Sequence, residues 1–152
     1  MKINIINGPN LNLLGSREPE KYGTMPFETF LNLLTTRFPD VVFNYFQSNV
    51  EGELINEIHK SANSFNGIIL NAGGYTHTSV ALHDAIAAIQ IPVVEAHITN
   101  VLAREKFRHK SLISGSCVGT ISGFGMDSYR LAVEAILEIY KKIPVAHLVC
   151  SQ

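Results

Sequence analysis

Cysteine is scarce in this chain of 152 residues, and no apolar run approaches the roughly 20 residues that a membrane helix needs. The two cysteines, Cys117 and Cys150, have neither a C-x-x-C spacing nor the Cys/His spacing of a metal site. We interpret both as reduced thiols that act as small buried hydrophobic groups; a reactive thiol is the alternative. The first residues do not resemble a signal peptide, so we expect a cytoplasmic protein without a membrane partner.

Charge is also sparse, because charged residues make up 16% of the chain and leave a formal net charge of -1. This balance gives no electrostatic basis for nucleic acid or an anionic membrane as the main partner. Hydrophobic residues make up 46%, which indicates a globular protein and excludes a disordered tail protein. With no linker in sight, we predict one domain over residues 1–152, in which the tail 143–152 has no clear period.

Short β-branched runs alternate with longer amphipathic stretches, which is typical of βαβ units around a parallel sheet. The helical pattern is seen where Val50, Leu54, Ile58 and Ala62 recur every four residues. The predicted strands are Lys2 to Asn7, Val41 to Phe46, Gly67 to Asn71, Pro92 to His97 and Cys117 to Ser122. Five such units predict an α/β, flavodoxin-like fold with strand order 2-1-3-4-5, helices on both faces and the second strand at an edge.

Helix starts are predicted at three places: Pro26 in the first turn of the first helix, Ser79 as the cap of the third, and Asp127 or Ser128 at the start of the last. Residues 8–24 lie between the first strand and the first helix and show no periodicity. A loop of that length is usually functional or disordered.

Polar residues follow three neighbouring apolar strands of the predicted sheet, at the edge where open α/β sheets bind ligands. Glu95 and His97 lie two apart near the end of the fourth strand, so their side chains leave the same face and can meet. A carboxylate beside an imidazole fixes its tautomer and favours its protonated form, which suits a general acid. A purely structural ion pair fits the same spacing.

Two further groups of residues carry weaker signals. Gly73 and Gly74 let the backbone approach a ligand closely, or form only a tight turn, and His77 beside them could be a surface histidine. Arg17 lies five residues before Tyr22 in the long loop. A nearby cation favours the phenolate, which can act as a base, although such loop residues are more often solvated or packed.

Five segments, in this order, resemble those of type II 3-dehydroquinate dehydratases. They are Asn7-Gly8-Pro9-Asn10-Leu11, Arg17-Glu18-Pro19 with Tyr22-Gly23, Asn71 to Gly74 with Thr76 to Ser79, Glu95 to Asn100, and Ala103 to Arg108. The likeness runs from the first strand to about Tyr140. It implies an enzyme that dehydrates 3-dehydroquinate to 3-dehydroshikimate in the shikimate pathway or in quinate breakdown. It also implies no cofactor and no metal, and a homododecamer built from trimers.

The resemblance further implies a role for each residue of the site. Tyr22, held ionised by Arg17, would be the base, and Asn10 would stabilise the enolate through an ordered water. His97, oriented by Glu95, would protonate the departing hydroxyl. The expected substrate contacts are Asn71, Gly73, Gly74, His77, the backbone of Ile98 and Thr99, Arg108, and Asp84 of a neighbouring subunit. The loop from Leu11 to Gly23 is expected to act as a lid.

Two alternative functions were weighed against this resemblance. A type I dehydroquinase uses a lysine Schiff base on a barrel of roughly 250 residues; this chain is too short and has no lysine at a strand end. A flavodoxin-like signalling or nucleotide-binding module would need an aspartate where Asn71 stands, or a phosphate loop after the first strand. Gly8-Pro9-Asn10-Leu11 lacks that spacing, and Gly123-Phe124-Gly125 is a weak phosphate signal.

Overall fold

Five parallel strands form the centre of the protein in a computed structural model that describes residues 1–16 and 18–142. They are β1 (Lys2–Asn7), β2 (Val42–Gln47), β3 (Gly67–Asn71), β4 (Val93–His97) and β5 (Gly119–Ser122). Their order in the sheet is β2-β1-β3-β4-β5, which confirms both the predicted flavodoxin-like topology and the edge position of the second strand. The predicted tail, residues 143–152, lies outside the described residues.

Helices connect the strands and cover both faces of the sheet. They are α1 (Pro19–Tyr22), α2 (Phe27–Arg37), α3 (Glu51–Ser61), α4 (Val80–Ala87) and α5 (Asp127–Lys142). Ser79 caps α4 as predicted, because its hydroxyl accepts a hydrogen bond from the Leu82 N–H at 2.9 Å. The predicted start of the last helix at Asp127 is also confirmed. None of the helices described here is both long and apolar enough to cross a lipid bilayer.

The observed elements differ from the predicted ones in several places. Strand β2 starts one residue later than predicted, because the Val41 N–H donates to the Phe38 carbonyl in a turn. Strand β5 starts two residues later than predicted, because the Cys117 N–H donates to the Ser114 carbonyl in another turn. Strand β4 starts after Pro92, which has no N–H to donate to a ladder. Pro26 was predicted inside its helix, which is wrong: it precedes α2 in an extended conformation.

The segment predicted as an aperiodic loop, residues 8–24, contains two short ordered pieces. A 3-10 turn spans Leu11–Leu13, and Pro19 begins α1, where its fixed φ and missing N–H suit the first turn of a helix. Sequence periodicity could not reveal these elements, because each spans only about one helical turn and a repeat needs several turns to become visible.

The core consists of two apolar clusters, one on each face of the sheet. Helices α2 and α5 cover one face, and α3 and α4 cover the other. A polar contact interrupts the second cluster: the Asn4 amide on β1 donates to Glu57 at 2.9 Å and to Ser61 at 2.8 Å, both on α3. The Asn44 amide on β2 donates to Asn4 at 2.9 Å. Because these buried polar side chains are hydrogen-bonded to one another, they connect β1, β2 and α3 with little loss of folding free energy.

Leu54→Ala is expected to lower the free energy of unfolding by about 2–5 kcal/mol, because Leu54 is fully buried between α3 and the sheet and truncation leaves a cavity. Leu33→Ala on α2 is the matched control, since Leu33 is 53% exposed. It should change the free energy of unfolding by less than about 0.5 kcal/mol. Urea unfolding of both variants measures the difference. Equal losses would contradict the assigned helix faces.

Cys117 is a free, partly buried thiol that packs against the cluster under α3 and α4, which agrees with a role as a small hydrophobic group. Burial raises the pKa of this thiol to about 12, and the charge of Glu95 adds to the effect. Only the thiolate reacts with alkylating agents. The other cysteine, Cys150, lies outside the described residues.

In a Cys150→Ser variant, Cys117 should therefore react with iodoacetamide far more slowly at pH 8 than a cysteine peptide does. Its rate should rise about tenfold per pH unit between pH 8 and 10, because the thiolate fraction grows by that factor below the pKa. The rate of alkylation, followed by mass spectrometry, measures this. A rate equal to that of the peptide at pH 8 would show an accessible, ordinary thiol.

Candidate active site

The ends of β1 and β3 meet in close backbone contact at the edge of the sheet. The Gly8 N–H donates to the Asn71 carbonyl at 2.7 Å, which extends the parallel ladder one residue past the Asn7 and Asn71 pair. A Cβ atom on Gly8 would lie 2.5 Å from the Ala72 carbonyl oxygen, so only glycine fits there. The segments that follow both strands are thereby held side by side.

A cavity of about 140 Å³ opens above these strand ends. Its lining includes ten of the predicted site residues: Asn10, Tyr22, Asn71, Gly73, Gly74, His77, His97, Ile98, Thr99 and Arg108. These residues come from the ends of β1, β3 and β4 and from the loops that follow them. The structure therefore brings together most of the residues that were predicted from separate segments of the chain.

His97 and Glu95 meet as the spacing on their strand predicted. The His97 Nε2 lies 2.5 Å from Glu95 Oε1, and both side chains are buried. Because an ionised carboxylate can only accept, Nε2 carries the proton and Nδ1 is the ring nitrogen left to exchange a proton with a ligand. Glu95 itself does not line the 140 Å³ cavity, so it contacts His97 from behind.

Glu95 is further held by two hydroxyl groups. Its Oε2 accepts hydrogen bonds from Ser111 at 3.1 Å and from Thr120 at 3.3 Å. A second, larger opening of about 700 Å³ lies on this side and is also lined by His97. His97 and the two hydroxyls thus surround this buried carboxylate and fix its position behind the imidazole.

Tyr22 is held by an arginine that the sequence analysis did not assign. The Arg104 Nη1 donates to the Tyr22 hydroxyl at 2.8 Å, and its guanidinium carbon lies 5.9 Å from the centre of the ring. The same nitrogen lies 3.4 Å from the Thr99 hydroxyl. Arg104 is part of the quoted segment Ala103 to Arg108, but it is 82 positions from Tyr22, so no spacing rule could pair them. Arg17, the predicted partner, lies outside the described residues.

Two residues beside the cavity have left-handed backbone conformations. Asn10 has φ 67° and donates its N–H to the Asn49 side chain at 2.9 Å. Asparagine tolerates this region better than most residues. Gly73 has φ 57°, and a Cβ there would lie 3.1 Å from the Pro9 carbonyl oxygen. The backbone at Gly73 is therefore closely packed against Pro9, and Gly73 and Gly74 both line the cavity.

Further polar groups point to the binding of a small hydroxylated molecule. His77 Nδ1 donates to the Lys110 carbonyl at 2.8 Å, which leaves Nε2 as an acceptor. The His77 and His97 rings are nearly parallel, with centroids 6.5 Å apart. Arg108 supplies a cation that is fixed by Glu105 at 3.0 Å. Donors and acceptors set around a small cavity fix the orientation of a polar ligand.

Among the predicted site residues that the structure describes, Asp84 lies apart from the others. Its side chain is 73% exposed on α4, lies 3.1 Å from His83, and lines neither opening. Among the residues the structure describes, no three His, Cys, Asp or Glu side chains come together as a candidate metal site.

The arrangement supplies the parts of an acid and base elimination. A phenol beside a guanidinium can become the base, and an imidazole backed by a carboxylate can become the acid. The space between them is lined by further polar residues, among them Asn10, Asn71 and Thr99.

Comparison with known proteins agrees with this chemistry. A family model described as dehydroquinase class II matches residues 1–137. A 3-dehydroquinate dehydratase of Exiguobacterium sp. is 52% identical over 142 residues, which cover 93% of this chain and 97% of that protein. The type II dehydroquinase of Butyrivibrio crossotus has a TM-score of 0.87 and 40% identity, covering 90% of this chain and 97% of that one. That of Propionibacterium acnes has a TM-score of 0.86 and 33% identity, covering 90% and 96%. The chain belongs to the class II dehydroquinase family, whose members dehydrate 3-dehydroquinate in the shikimate pathway.

Proposed function

We propose that this chain converts 3-dehydroquinate to 3-dehydroshikimate by an anti elimination in which Tyr22 is the base and His97 is the acid. One observation carries the proposal: the same cavity is lined by Tyr22, which contacts Arg104, and by His97, which contacts Glu95. A base and an acid with separate partners can hold opposite protonation states at one pH. That is the requirement of a reaction that removes one proton and delivers another.

The first step removes a proton from the carbon beside the substrate ketone. Tyr22 takes it as a phenolate, which the guanidinium of Arg104 stabilises through a charge-assisted hydrogen bond. Arg17 is a second cation for the same phenolate, as the family resemblance implies. The negative charge then moves to the ketone oxygen, and Asn10 stabilises the resulting enolate through an ordered water.

The second step expels the hydroxyl at C1. His97 protonates it through Nδ1, while Glu95 holds the other ring nitrogen and stabilises the imidazolium before transfer. Water leaves, the enolate collapses, and a conjugated enone forms. After release, the proton on Tyr22 returns to solvent and His97 regains one, so the enzyme is restored. No cofactor or metal takes part in this scheme.

The substrate is held by groups that follow the three strand ends. Asn71, His77 and Arg108 contact its hydroxyls, and the backbone N–H groups of Ile98 and Thr99 bind its carboxylate. Gly73 and Gly74 let the backbone pass close to the ring. The segment from Leu11 to Gly23, which carries Tyr22, closes over the bound molecule and opens for release.

We also propose a homododecamer built from trimers, in which Asp84 reaches the site of a neighbouring subunit. The support is its position: Asp84 is exposed and away from the cavity of its own chain. The enzyme is proposed to work in the cytoplasm, a compartment that suits the free thiol of Cys117.

Tyr22→Phe, His97→Ala and Arg104→Gln are each expected to lower kcat, the first two by about 10²–10⁴-fold, because each removes a proton transfer. Loss of the Arg104 cation should cost about 10–10²-fold, since the phenolate keeps its place but loses its charged donor. The rise in ultraviolet absorbance as 3-dehydroquinate becomes an enone measures the rate.

The matched control is Tyr140→Phe, which removes a phenol hydroxyl that donates to the Asn66 carbonyl at the start of β3, far from the strand ends that form the site. It should keep wild-type kcat. Full activity of folded Tyr22→Phe would remove the proposed base.

Mixing two inactive variants tests the position of Asp84. Asp84→Ala and Tyr22→Phe subunits, dissociated together and reassembled at equal amounts, should recover about a quarter of wild-type activity, because random pairing puts an intact Tyr22 beside an intact neighbouring Asp84 at that frequency. A mixture of Tyr22→Phe and His97→Ala is the control, since both residues line one cavity.

In that control, a site with both residues intact never forms, so no activity should return. If the Asp84→Ala mixture also stays inactive after verified reassembly, Asp84 acts within its own chain. Full activity of Asp84→Ala by itself would show that Asp84 has no part in the site.

A further inference from the structure

A chain of buried hydrogen bonds lies beneath the cavity and ends at a residue that lines it. The Asn71 Nδ2 donates to the Tyr129 hydroxyl at 2.8 Å, and that hydroxyl donates to Asn7 Oδ1 at 2.8 Å. The Asn7 Nδ2 lies 3.5 Å from the Tyr45 hydroxyl. Tyr129 and Asn7 are fully buried, and Asn71 is nearly so. Asn7 and Asn71 are paired across β1 and β3, so one phenol on α5 bridges the ends of two strands.

The direction of these hydrogen bonds follows from the single proton of the Tyr129 phenol. A phenol has one proton, and Tyr129 gives it to Asn7, so its oxygen can only accept from Asn71. Burial raises the pKa of the Tyr129 phenol, which therefore keeps its proton at neutral pH. The Nδ2 end of the Asn71 amide must then face Tyr129. Its Oδ1 end faces away, 3.3 Å from the Gly73 N–H at the wall of the cavity.

Tyr129 itself cannot shift to adapt to another arrangement. Its ring makes an edge contact with Phe27 at a centroid distance of 5.0 Å and lies 6.1 Å from Phe30, both on α2. Close packing of these rings holds the long axis of the Tyr129 ring, and with it the hydroxyl, in one place. The Tyr129 hydroxyl therefore has a fixed position, and this position fixes the Asn71 amide that donates to it.

We propose that Tyr129 is a positioning residue for substrate binding: its hydroxyl orients the Asn71 amide so that Oδ1 is presented to the cavity as an acceptor for a substrate hydroxyl. The inference rests on the proposed contact between Asn71 and substrate. Without the phenol hydroxyl, the Nδ2 end of the amide loses its buried acceptor and only the longer contact from the Gly73 N–H to Oδ1 remains, so the Nδ2 end can turn to the cavity. A substrate hydroxyl that donates its proton would then meet a donor.

The test is a double-mutant cycle of Tyr129→Phe and Asn71→Ala, measured as KM and kcat for 3-dehydroquinate. Tyr129→Phe keeps the ring that packs on α2 and removes only the hydroxyl. It should raise KM about tenfold and change kcat by less than about threefold, because the affected contact is made in the ground state and the transition state alike. In the Asn71→Ala background the same substitution should change KM by less than about twofold.

Two further variants keep the cycle interpretable. Tyr140→Phe removes a hydroxyl that donates to the Asn66 carbonyl and should leave KM unchanged. Asn7→Leu, which keeps a branched side chain although a larger one, removes the acceptor of Tyr129 and should also raise KM, because the freed phenol proton can turn to the Asn71 oxygen. This variant tests the same chain should Tyr129→Phe fail to fold.

Each outcome separates the two proposals. A rise in KM that disappears in the Asn71→Ala background supports Tyr129 as a positioning residue. An equal rise in both backgrounds, or a loss of stability without any rise in KM, would overturn it and leave Tyr129 as a packing residue. If Asn71→Ala alone keeps wild-type KM, the proposed substrate contact of Asn71 fails, and the inference about Tyr129 fails with it.

Discussion

The parallel pairing of β1, β3 and β4 is the constraint on which the site depends. Parallel strands in register end at the same edge of the sheet, so residues from three distant segments emerge side by side. The pairing is tightest where the Gly8 backbone meets Ala72 without space for a side chain. A shift of one residue in either strand would point Asn7 and Asn71 to the opposite face of the sheet.

The electrostatics of the site follow from which elements supply the charges. The proposed acid, His97, lies on β4 and is buried, where Glu95 contacts it and is held by hydroxyls from β5 and the loop before it. The proposed base, Tyr22, is the last residue of α1 and is contacted by Arg104 across a long sequence separation. The proposed acid is therefore held by a rigid strand, and the proposed base by a short helix that follows a loop.

The apolar core and the site are connected through aromatic packing. Helix α2 places Phe27 against both Tyr45 and Tyr129, with centroid distances of 4.5 and 5.0 Å. The same two tyrosines take part in the hydrogen bonds that reach Asn7 and Asn71. Core packing on one face of the sheet thus fixes polar groups at its edge. Packing determines the positions of the Asn7 and Asn71 amides, and hydrogen bonding determines the direction in which each amide group points.

The sequence by itself determined the strands and their order, while its resemblance to type II dehydroquinases indicated most of the predicted residues at the cavity. Apolar runs and turn residues act locally, and chain connectivity with right-handed crossovers leaves few topologies. It also determined the meeting of Glu95 and His97, because residues two apart on a strand share a face. The short helices of residues 8–24 were missed because they span a single turn.

The tertiary structure alone decided which distant side chains touch. Arg104 reaches Tyr22, and Tyr129 reaches Asn71 from the last helix, over separations of 82 and 58 residues. No local pattern encodes such pairs, since their geometry depends on how helices and loops pack on the sheet. Periodicity in a sequence reports which face a residue occupies, and the partner it meets there is set by the packing of the whole chain.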